Sequence, residues 1–477
     1  MKNRVLKNWA FIDSLSIPFF LFLTFIFGTG CVKEKSPNII QDPSKLDSEL
    51  IVWRKPGTTD LQFNNWLNTV RARGLVVKKF FCKSCDSSLM LLTGPGIQIY
   101  IQGPPATGGR EPLRRPRVVG EDGPVYVSLN YKIDIGIGAQ AIANNPQPIN
   151  LKYSKGTIVK VAVFDTGLDL GEFVGYLYSN PMESCIRGGR LGWNFADSTS
   201  NVSDNHLGKH GTTVGRLITD QVNKYLYNPV QILPVKTHGA NGVSDLYSVL
   251  CGFAYAKERG ANIINASFGF YTPRLENYPG VTGGDPKIIL LKKYVEYYLT
   301  QNKILLIAAA GNKDDENERS AFAMYDLTIR DAELRNLDQV SFYPASLSRD
   351  PDLPNVFTVT TIDTARPASV SPFQNFSKNV VDIGVQADAV LSGVPDRRYI
   401  FFNPRSLGTS NTVEGSSFAT PIITGKFCAL YDLYKAELLT GSAINKIRIM
   451  SILKANRIIR EYDPLSDKIR NGQIAIK

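Results

Sequence analysis

Four short stretches carry a carboxylate, an imidazole, a hydroxyl and a carboxamide, the groups that acyl transfer needs. Val161-Ala162-Val163-Phe164-Asp165-Thr166-Gly167 is an apolar run that ends on a carboxylate and turns at Thr-Gly. Open α/β sheets build their sites at the carboxyl ends of strands. Asp-Thr-Gly also begins aspartic protease sites, but no second Asp-Thr/Ser-Gly accompanies it here. In Gly208-Lys209-His210-Gly211-Thr212, a histidine stands before a glycine at a helix start, where another backbone can come close. The chain has 3 histidines, and His206 and His238 lack such a setting. Gly415-Ser416-Ser417-Phe418-Ala419-Thr420-Pro421 leads into an apolar helix over 422–431. Free N–H groups and the helix dipole there favour a hydroxyl becoming an alkoxide, although a Ser-rich N-cap would look the same. Finally, residues 304–312 read Ile-Leu-Leu-Ile-Ala-Ala-Ala-Gly-Asn. Small residues leave room for a substrate, and the Asn312 carboxamide can donate to an oxyanion.

Positioning these groups requires strands that end together. Residues 158–164, 230–235, 263–267, 304–310 and 356–359 are short apolar runs typical of a buried parallel sheet. Between them lie helical patterns. Leu246, Val249, Leu250, Phe253 and Ala254 mark one face of a helix that Ser244 could cap. Asp285-Pro286 opens another, with proline at its first position. The alternation predicts an α/β fold with a doubly wound, mostly parallel sheet.

The chain order Asp…His…Asn…Ser, with these contexts, resembles the subtilisin family of serine peptidases over roughly residues 125–475. The resemblance implies a serine endopeptidase with Asp165, His210 and Ser417 as its triad and Asn312 as an oxyanion donor. It also implies that Gly242 and Val243 on one side, and Ser267, Phe268 and Gly269 on the other, flank the substrate as extended strands. Such backbone pairing binds peptides with little dependence on side chains. No cofactor is required; calcium is a structural ion that the resemblance allows, with no ligands assigned and no metal site expected. Departures stand beside the match. The family's His-Gly-Thr-His-Val-Ala-Gly reads His-Gly-Thr-Thr-Val-Gly-Arg here, ending at Arg216. Arg216 would either disturb close packing or reach solvent. Ser416 stands where threonine is common, and a charged insertion covers 313–339. A binding lipoprotein that keeps this fold without catalysis is the alternative from another class.

The N-terminal part reads as an export and processing apparatus. Lys2, Arg4 and Lys7 precede an apolar stretch over 17–27 that is short for a membrane span. Gly28-Thr29-Gly30-Cys31 follows and resembles a lipobox, so Cys31 is expected to carry a lipid. The expected organisation is a lipoprotein-type signal peptide over 1–31, a tether over 32–48 and a small α+β domain over 49–103. A Pro/Gly-rich linker over 104–124 leads to the catalytic domain over 125–477. The small domain resembles the family's inhibitory propeptide, and the linker is its expected cut site. Of the remaining cysteines, Cys82 and Cys85 read as a short-range disulfide or two structural thiols, and Cys251 and Cys428 as buried small residues. An odd number in an exported chain leaves at least one thiol unpaired. The formal charge of +11 is spread along the chain without a nucleic-acid motif, so no nucleic acid is expected as a partner. The expected partners are a peptide or protein substrate, the chain's own propeptide-like domain, and a membrane reached through the lipid.

Overall fold

The computed structural model describes residues 45–82, 85–94, 97, 121–135, 149, 155–180, 182, 184–225, 227–273, 286–312, 335–363, 369–371, 374–391, 397–402, 412–439 and 444–476. Cys31 and its preceding residues, most of the Pro/Gly-rich stretch, and residues 313–334 of the charged insertion lie outside them.

The N-terminal unit is an antiparallel sheet with one helix. Its strands are β1 (Lys45–Arg54), β2 (Val76–Cys82), β3 (Asp86–Thr93), β4 (Glu121–Asp122) and β5 (Val125–Asp134), in the order β2-β3-β1-β5-β4. Helix α1 (Asp60–Ala72) starts where Thr59 and Gln62 form a reciprocal capping box, which satisfies two orphan N–H groups of the first turn. Successive residues of a strand face opposite ways, and β1 uses both faces. Leu50 and Val52 pack under α1 with Phe63, Trp66, Leu67 and Val70. Ile51 and Trp53 face the larger core instead. There Trp53 stacks on Tyr126 and meets Tyr294 edge-on.

The larger unit is built on a sheet whose inner strands are the five apolar runs. These are β6 (Val159–Asp165), β8 (Val230–Lys236), β10 (Ile263–Ala266), β12 (Leu305–Ala309) and β14 (Val356–Asp363). With β7 (Trp193–Asn194), β16 (Ile383–Gln386), β20 (Ile459–Glu461) and β21 (Gln473–Ala475) they run in the order β20-β21-β16-β14-β12-β10-β6-β8-β7. All neighbours are parallel except β20 and β21; β15 (Ser369–Val370) adds antiparallel to β14. Helices cover both faces. Val161 and Val163 of β6 pack with α2 (His210–Tyr225) and α5 (Ser416–Ala429). Ala162 and Phe164 pack with α3 (Leu246–Glu258) and α4 (Pro286–Val295). Asp245, one residue beyond the expected Ser244, caps α3 by accepting from the Ser248 N–H. Helices α6 (Tyr431–Leu439) and α7 (Lys446–Ala455) follow α5. Two small sheets complete the unit: β11 (Phe270–Pro273) with β13 (Val340–Tyr343), and β17 (Asp388–Leu391) with β18 (Arg397–Phe402) and β19 (Thr412–Glu414).

Disulfides join the two units, contrary to the short-range pairing expected for Cys82 and Cys85. Cys82 bonds Cys251 on α3, and Cys85 bonds Cys185. Cys251 is therefore a cross-link rather than an inert buried thiol, while Cys428 is free and buried. The two bonds span sequence separations of 169 and 100. Closing loops of that length is worth about 5 kcal/mol each in chain-entropy terms. The remaining seam is polar as well as apolar. The Asn130 Oδ1 accepts from the Tyr247 N–H, and the Tyr294 hydroxyl donates to Asp86.

Candidate active site

Asp165 is the last residue of β6 and His210 the first of α2. The Asp165 Oδ1 and His210 Nδ1 lie 2.7 Å apart, and both residues are buried. Asp165 Oδ1 also accepts from the Thr166 N–H at 2.8 Å. On the far side of the ring, His210 Nε2 is buried and has no hydrogen-bond partner among the described residues. Burial alone would raise the Asp165 carboxyl, but His210 beside it outweighs this and holds it below the usual carboxylate range. Burial likewise pulls the imidazole down, and the Asp165 charge and hydrogen bond lift it above its ordinary value. The pair therefore keeps its proton on the histidine side.

The start of α2 is fixed by neighbours that supply what a helix N-terminus lacks. The Gly211 N–H donates to Thr166 Oγ1, and the Thr212 N–H and hydroxyl donate to Asp204. Asp204 accepts in turn from the Thr166 hydroxyl. Lys236 ends β8 beneath this loop and donates to the carbonyls of Thr166 and Ser203. Arg216 neither disturbs the helix nor reaches solvent; it is buried and pairs with Glu172 at 3.3 Å.

Ser417 stands in the first turn of α5, after Gly415 at φ +122°. A side chain at Gly415 would be strained there and would meet the Asn312 amide. Pro421 lies inside the helix and has no N–H to give the Ser417 carbonyl. The Ser267 hydroxyl takes that place, donating to the Ser417 carbonyl at 2.7 Å. Asn265 donates to the same Ser267 hydroxyl and accepts from Thr424, which ties the end of β10 to α5. Helices α2 and α5 approach closely at Gly425, where a Cβ would strike the Ile218 carbonyl. That approach brings the Phe418 ring to 4.9 Å from the His210 ring.

Asn312 follows β12. Its Oδ1 accepts from the Ser416 N–H at 3.0 Å and from the Ser416 hydroxyl at 3.2 Å. With that oxygen held, the Nδ2 is the group left to donate. Tyr271 steadies the turn by donating to the Asn312 carbonyl, and Asn375 donates to the Tyr271 hydroxyl.

One family spans β6, α2, β12 and α5 together. Residues 156–466 match the Subtilase family. The chain belongs to that family. This subtilase is 27% identical over 291 residues to the "Major intracellular serine protease" of Bacillus subtilis (strain 168), an alignment covering 59% of this chain and 71% of that protein. It is 26% identical to the "Cell wall-associated protease" of the same organism, over 58% of this chain and 24% of that one. Among solved structures, the epidermin leader peptide processing serine protease of Staphylococcus aureus superposes with a TM-score of 0.51 at 17% identity. That match covers 90% of this chain and 96% of the other, and it shows the shared fold. The subtilase is a subtilisin-like serine protease acting on peptide or protein substrates.

The two expected substrate strands face each other, and the subtilase fills the space between them with its own chain. Val243 opens β9 (Val243–Asp245), which pairs with the end of β5 so that Asp134 faces Val243. Asp134 also bridges Gly269, with N–H to carbonyl distances of 3.4 and 3.3 Å. The Ile135 N–H donates to the Gly242 carbonyl at 3.3 Å. Phe268 lies behind, packed on the His238 ring at 4.9 Å.

Sequence reading passed over His206 and His238, yet the structure puts all three histidines together. The His206 ring meets His210 edge-on at 6.5 Å, and burial pushes it below its ordinary pKa. Burial takes His238 down to about 3, so it stays neutral and bonded to the Thr237 hydroxyl. Spacing along the chain carried no signal for either, because separate loops bring them in. Among the described residues no group of three or more His, Cys, Asp or Glu could hold a metal ion. No helix among them is long and apolar enough to cross a membrane.

The charge arrangement at His210 fixes the direction of a pH effect. The expected general base, His210, must be neutral to act, and the Asp165 charge lifts its pKa above 6.5. For the free enzyme, kcat/KM should therefore rise with pH through a midpoint above 6.5 and then level off. A profile of hydrolysis from pH 5 to 9 checks this; an acid limb centred below 6.5 would contradict it.

Proposed function

We propose that this subtilase is an endopeptidase that works through an acyl-enzyme on Ser417. The Ser417 Oγ attacks the peptide carbonyl while His210 Nε2 takes its proton. The proton passes to the leaving amine as the tetrahedral intermediate collapses. Water then repeats the sequence on the ester, with His210 again as base. Asp165 holds the imidazole in the Nδ1–H tautomer and stabilises the imidazolium. The Asn312 Nδ2 and the Ser417 N–H receive the oxyanion. The observation that carries this reading is the buried 2.7 Å Asp165–His210 bond, with Nε2 left without a partner among the described residues. In free enzymes the bond from nucleophile to base is often long and tightens with substrate. Ser416 is a poor nucleophile candidate because its hydroxyl accepts from the Gly311 N–H and donates to Asn312. A fluorophosphonate probe, with the labelled residue located by peptide mapping, tests the reading. Label on Ser417 supports it, and label on Ser416 or on no serine overturns it.

Asn312→Ala should lower kcat by roughly 10²–10³ with little change in KM, the scale seen when a subtilisin loses its oxyanion carboxamide. Asn312→Asp separates donation from positioning. It keeps an oxygen for Ser416 but brings a charge where the oxyanion forms, so its kcat should fall at least as far. An active Asn312→Asp enzyme would mean that only the positioning role is real.

The N-terminal unit serves as a propeptide-like inhibitor, supported by Asp134 and Ile135 in the cleft. Export is supported by four disulfide-bonded cysteines, which persist in oxidising compartments. The proposed membrane anchor is a lipid on Cys31. Cys31→Ser should move the protein from the membrane to the soluble fraction; equal partitioning of variant and wild type would remove the anchor from that residue.

A further inference from the structure

We infer that Lys236 is a positioning residue for the Asp165–His210 pair: its ammonium fills a cage of neutral oxygens, as a metal ion would, and so locks the turn after Asp165 to the loop before His210. The inference rests on His210 being the general base. Lys236 is the last residue of β8 and faces Asp165, the last of β6, across the parallel ladder. Its side chain turns inward and is buried. The Nζ donates to the Thr166 carbonyl at 2.7 Å, the Ser203 carbonyl at 2.9 Å and the Asn205 Oδ1 at 2.6 Å. Three acceptors take three N–H groups, which the ammonium has and a neutral amine lacks. Carbonyl and amide oxygens are also the ligands that hard cations take. Burying an ammonium is costly unless its N–H groups are met, so space filling alone does not account for a lysine here.

The cage bears on catalysis through what its walls carry. The Thr166 N–H holds Asp165 Oδ1, and the Thr166 hydroxyl accepts from the Gly211 N–H, next to His210. Ser203 and Asn205 flank Asp204, which accepts from the Thr212 N–H and hydroxyl in the first turn of α2. Both side chains that seat α2 therefore hang from segments whose oxygens the ammonium draws together. Backbone bonds of Leu168 with Val202 and Asp204 join the same segments a step further from the pair. The fold can thus survive loss of the ammonium, while the alignment of the pair depends on it. The three acceptors of Lys236 all lie outside the segments at Gly242 and 267–269, so substrate binding is left alone.

The test compares variants of the full chain. Lys236→Met keeps the reach of the side chain and removes its charge and donors. It should lower kcat by about 10²-fold, the cost of a misplacement of about 1 Å, with KM within a few-fold. The far-downfield Nδ1 proton that marks the Asp165–His210 bond in the NMR spectrum of the wild type should be lost. Lys446→Met is the control for a structural role. Lys446 is also turned inward, bonded to Ser348, the Val356 carbonyl and Asp382 at the opposite end of the sheet. Its replacement should lower the melting temperature and leave kcat and the Nδ1 proton unchanged. Asn205→Ala removes one oxygen of the cage from an exposed position and serves if Lys236→Met does not fold. It should lower kcat and weaken the Nδ1 signal, while Asn205→Asp, which keeps an oxygen for Nζ, should stay near the wild type. Lys236→Met/Asn205→Ala should fall within about 3-fold of Lys236→Met, because members of one network do not add. Wild-type kcat and an intact Nδ1 proton in Lys236→Met or Asn205→Ala would overturn the inference. So would a double variant that shows the product of the two single losses, or a Lys446→Met enzyme that moves the same two readouts. A wild type that does not take the fluorophosphonate on Ser417 would instead overturn the assignment of the nucleophile, and the Nδ1 proton would still decide the role of Lys236.

Discussion

Replacing Ser417 with alanine is expected to lower kcat/KM by about 10⁶, the scale on which a subtilisin loses activity with its serine or histidine. Folding should be unaffected, with a melting temperature close to that of the wild type. The reason lies in which atoms of Ser417 are structural. Its carbonyl is held by Ser267, and alanine keeps that carbonyl. Its hydroxyl makes no hydrogen bond among the described residues, so nothing structural is lost with it. His210→Ala should lose activity on the same scale but should also destabilise. It leaves the Asp165 carboxylate buried with the Thr166 N–H as its remaining side-chain partner. Stripping the partner from a buried charge costs about 3–5 kcal/mol. The decisive measurement is the double variant. Groups that act as one unit are lost only once, so Ser417→Ala/His210→Ala should be no more than about 10-fold worse than Ser417→Ala alone. A further 100-fold loss would mean that the two side chains act independently.

Much of this site was legible because the inner strands are buried on both faces. Such strands must be continuous apolar runs, and Asp165 stands out at the end of one. Asn312 was legible for the same reason, at the end of β12 after three alanines. The helix over 246–258 showed its apolar face, yet the cap fell on Asp245 rather than Ser244, since both residue types can accept the orphan N–H. The disulfides were not legible. Cys82 and Cys85 are close in sequence, but their partners are set by how β2 and the turn after it dock on α3 and the 185 region. No spacing rule reports docking. Arg216 failed for a related reason: an arginine on a helix face reads as exposed, and pairing with Glu172, 44 residues away, helps to make its burial tolerable. Ile133, Asp134 and Ile135 alternate as a strand should. Their sequence does not reveal that this strand pairs with the segments at Gly242 and Gly269, the ones expected to flank a substrate.

Asp165→Asn should cost about 10⁴ in kcat while leaving KM within a few-fold, because the substitution acts through the tautomer of His210. Asparagine has nearly the shape of aspartate but trades one acceptor for a donor. Asp165 Oδ1 accepts from both the Thr166 N–H and His210, and Oδ2 is buried without a partner among the described residues. If the asparagine keeps its oxygen toward Thr166 and His210, its NH₂ lies where Oδ2 was, buried with no acceptor. Leaving such a group unsatisfied costs about 1–3 kcal/mol. If it flips, the NH₂ faces His210 Nδ1 and the Thr166 N–H. It then donates to the imidazole and places the ring proton on Nε2, facing the nucleophile with a donor where a base is required. Either arrangement removes the charge that lifts the His210 pKa. The acid limb of the pH profile in the variant should therefore move to lower pH even as the plateau falls. The two readouts distinguish a chemical role from a structural one. A variant that merely misfolds loses activity at every pH without shifting the limb. If kcat falls less than 10-fold and the limb stays in place, Asp165 is not the partner that sets the imidazole.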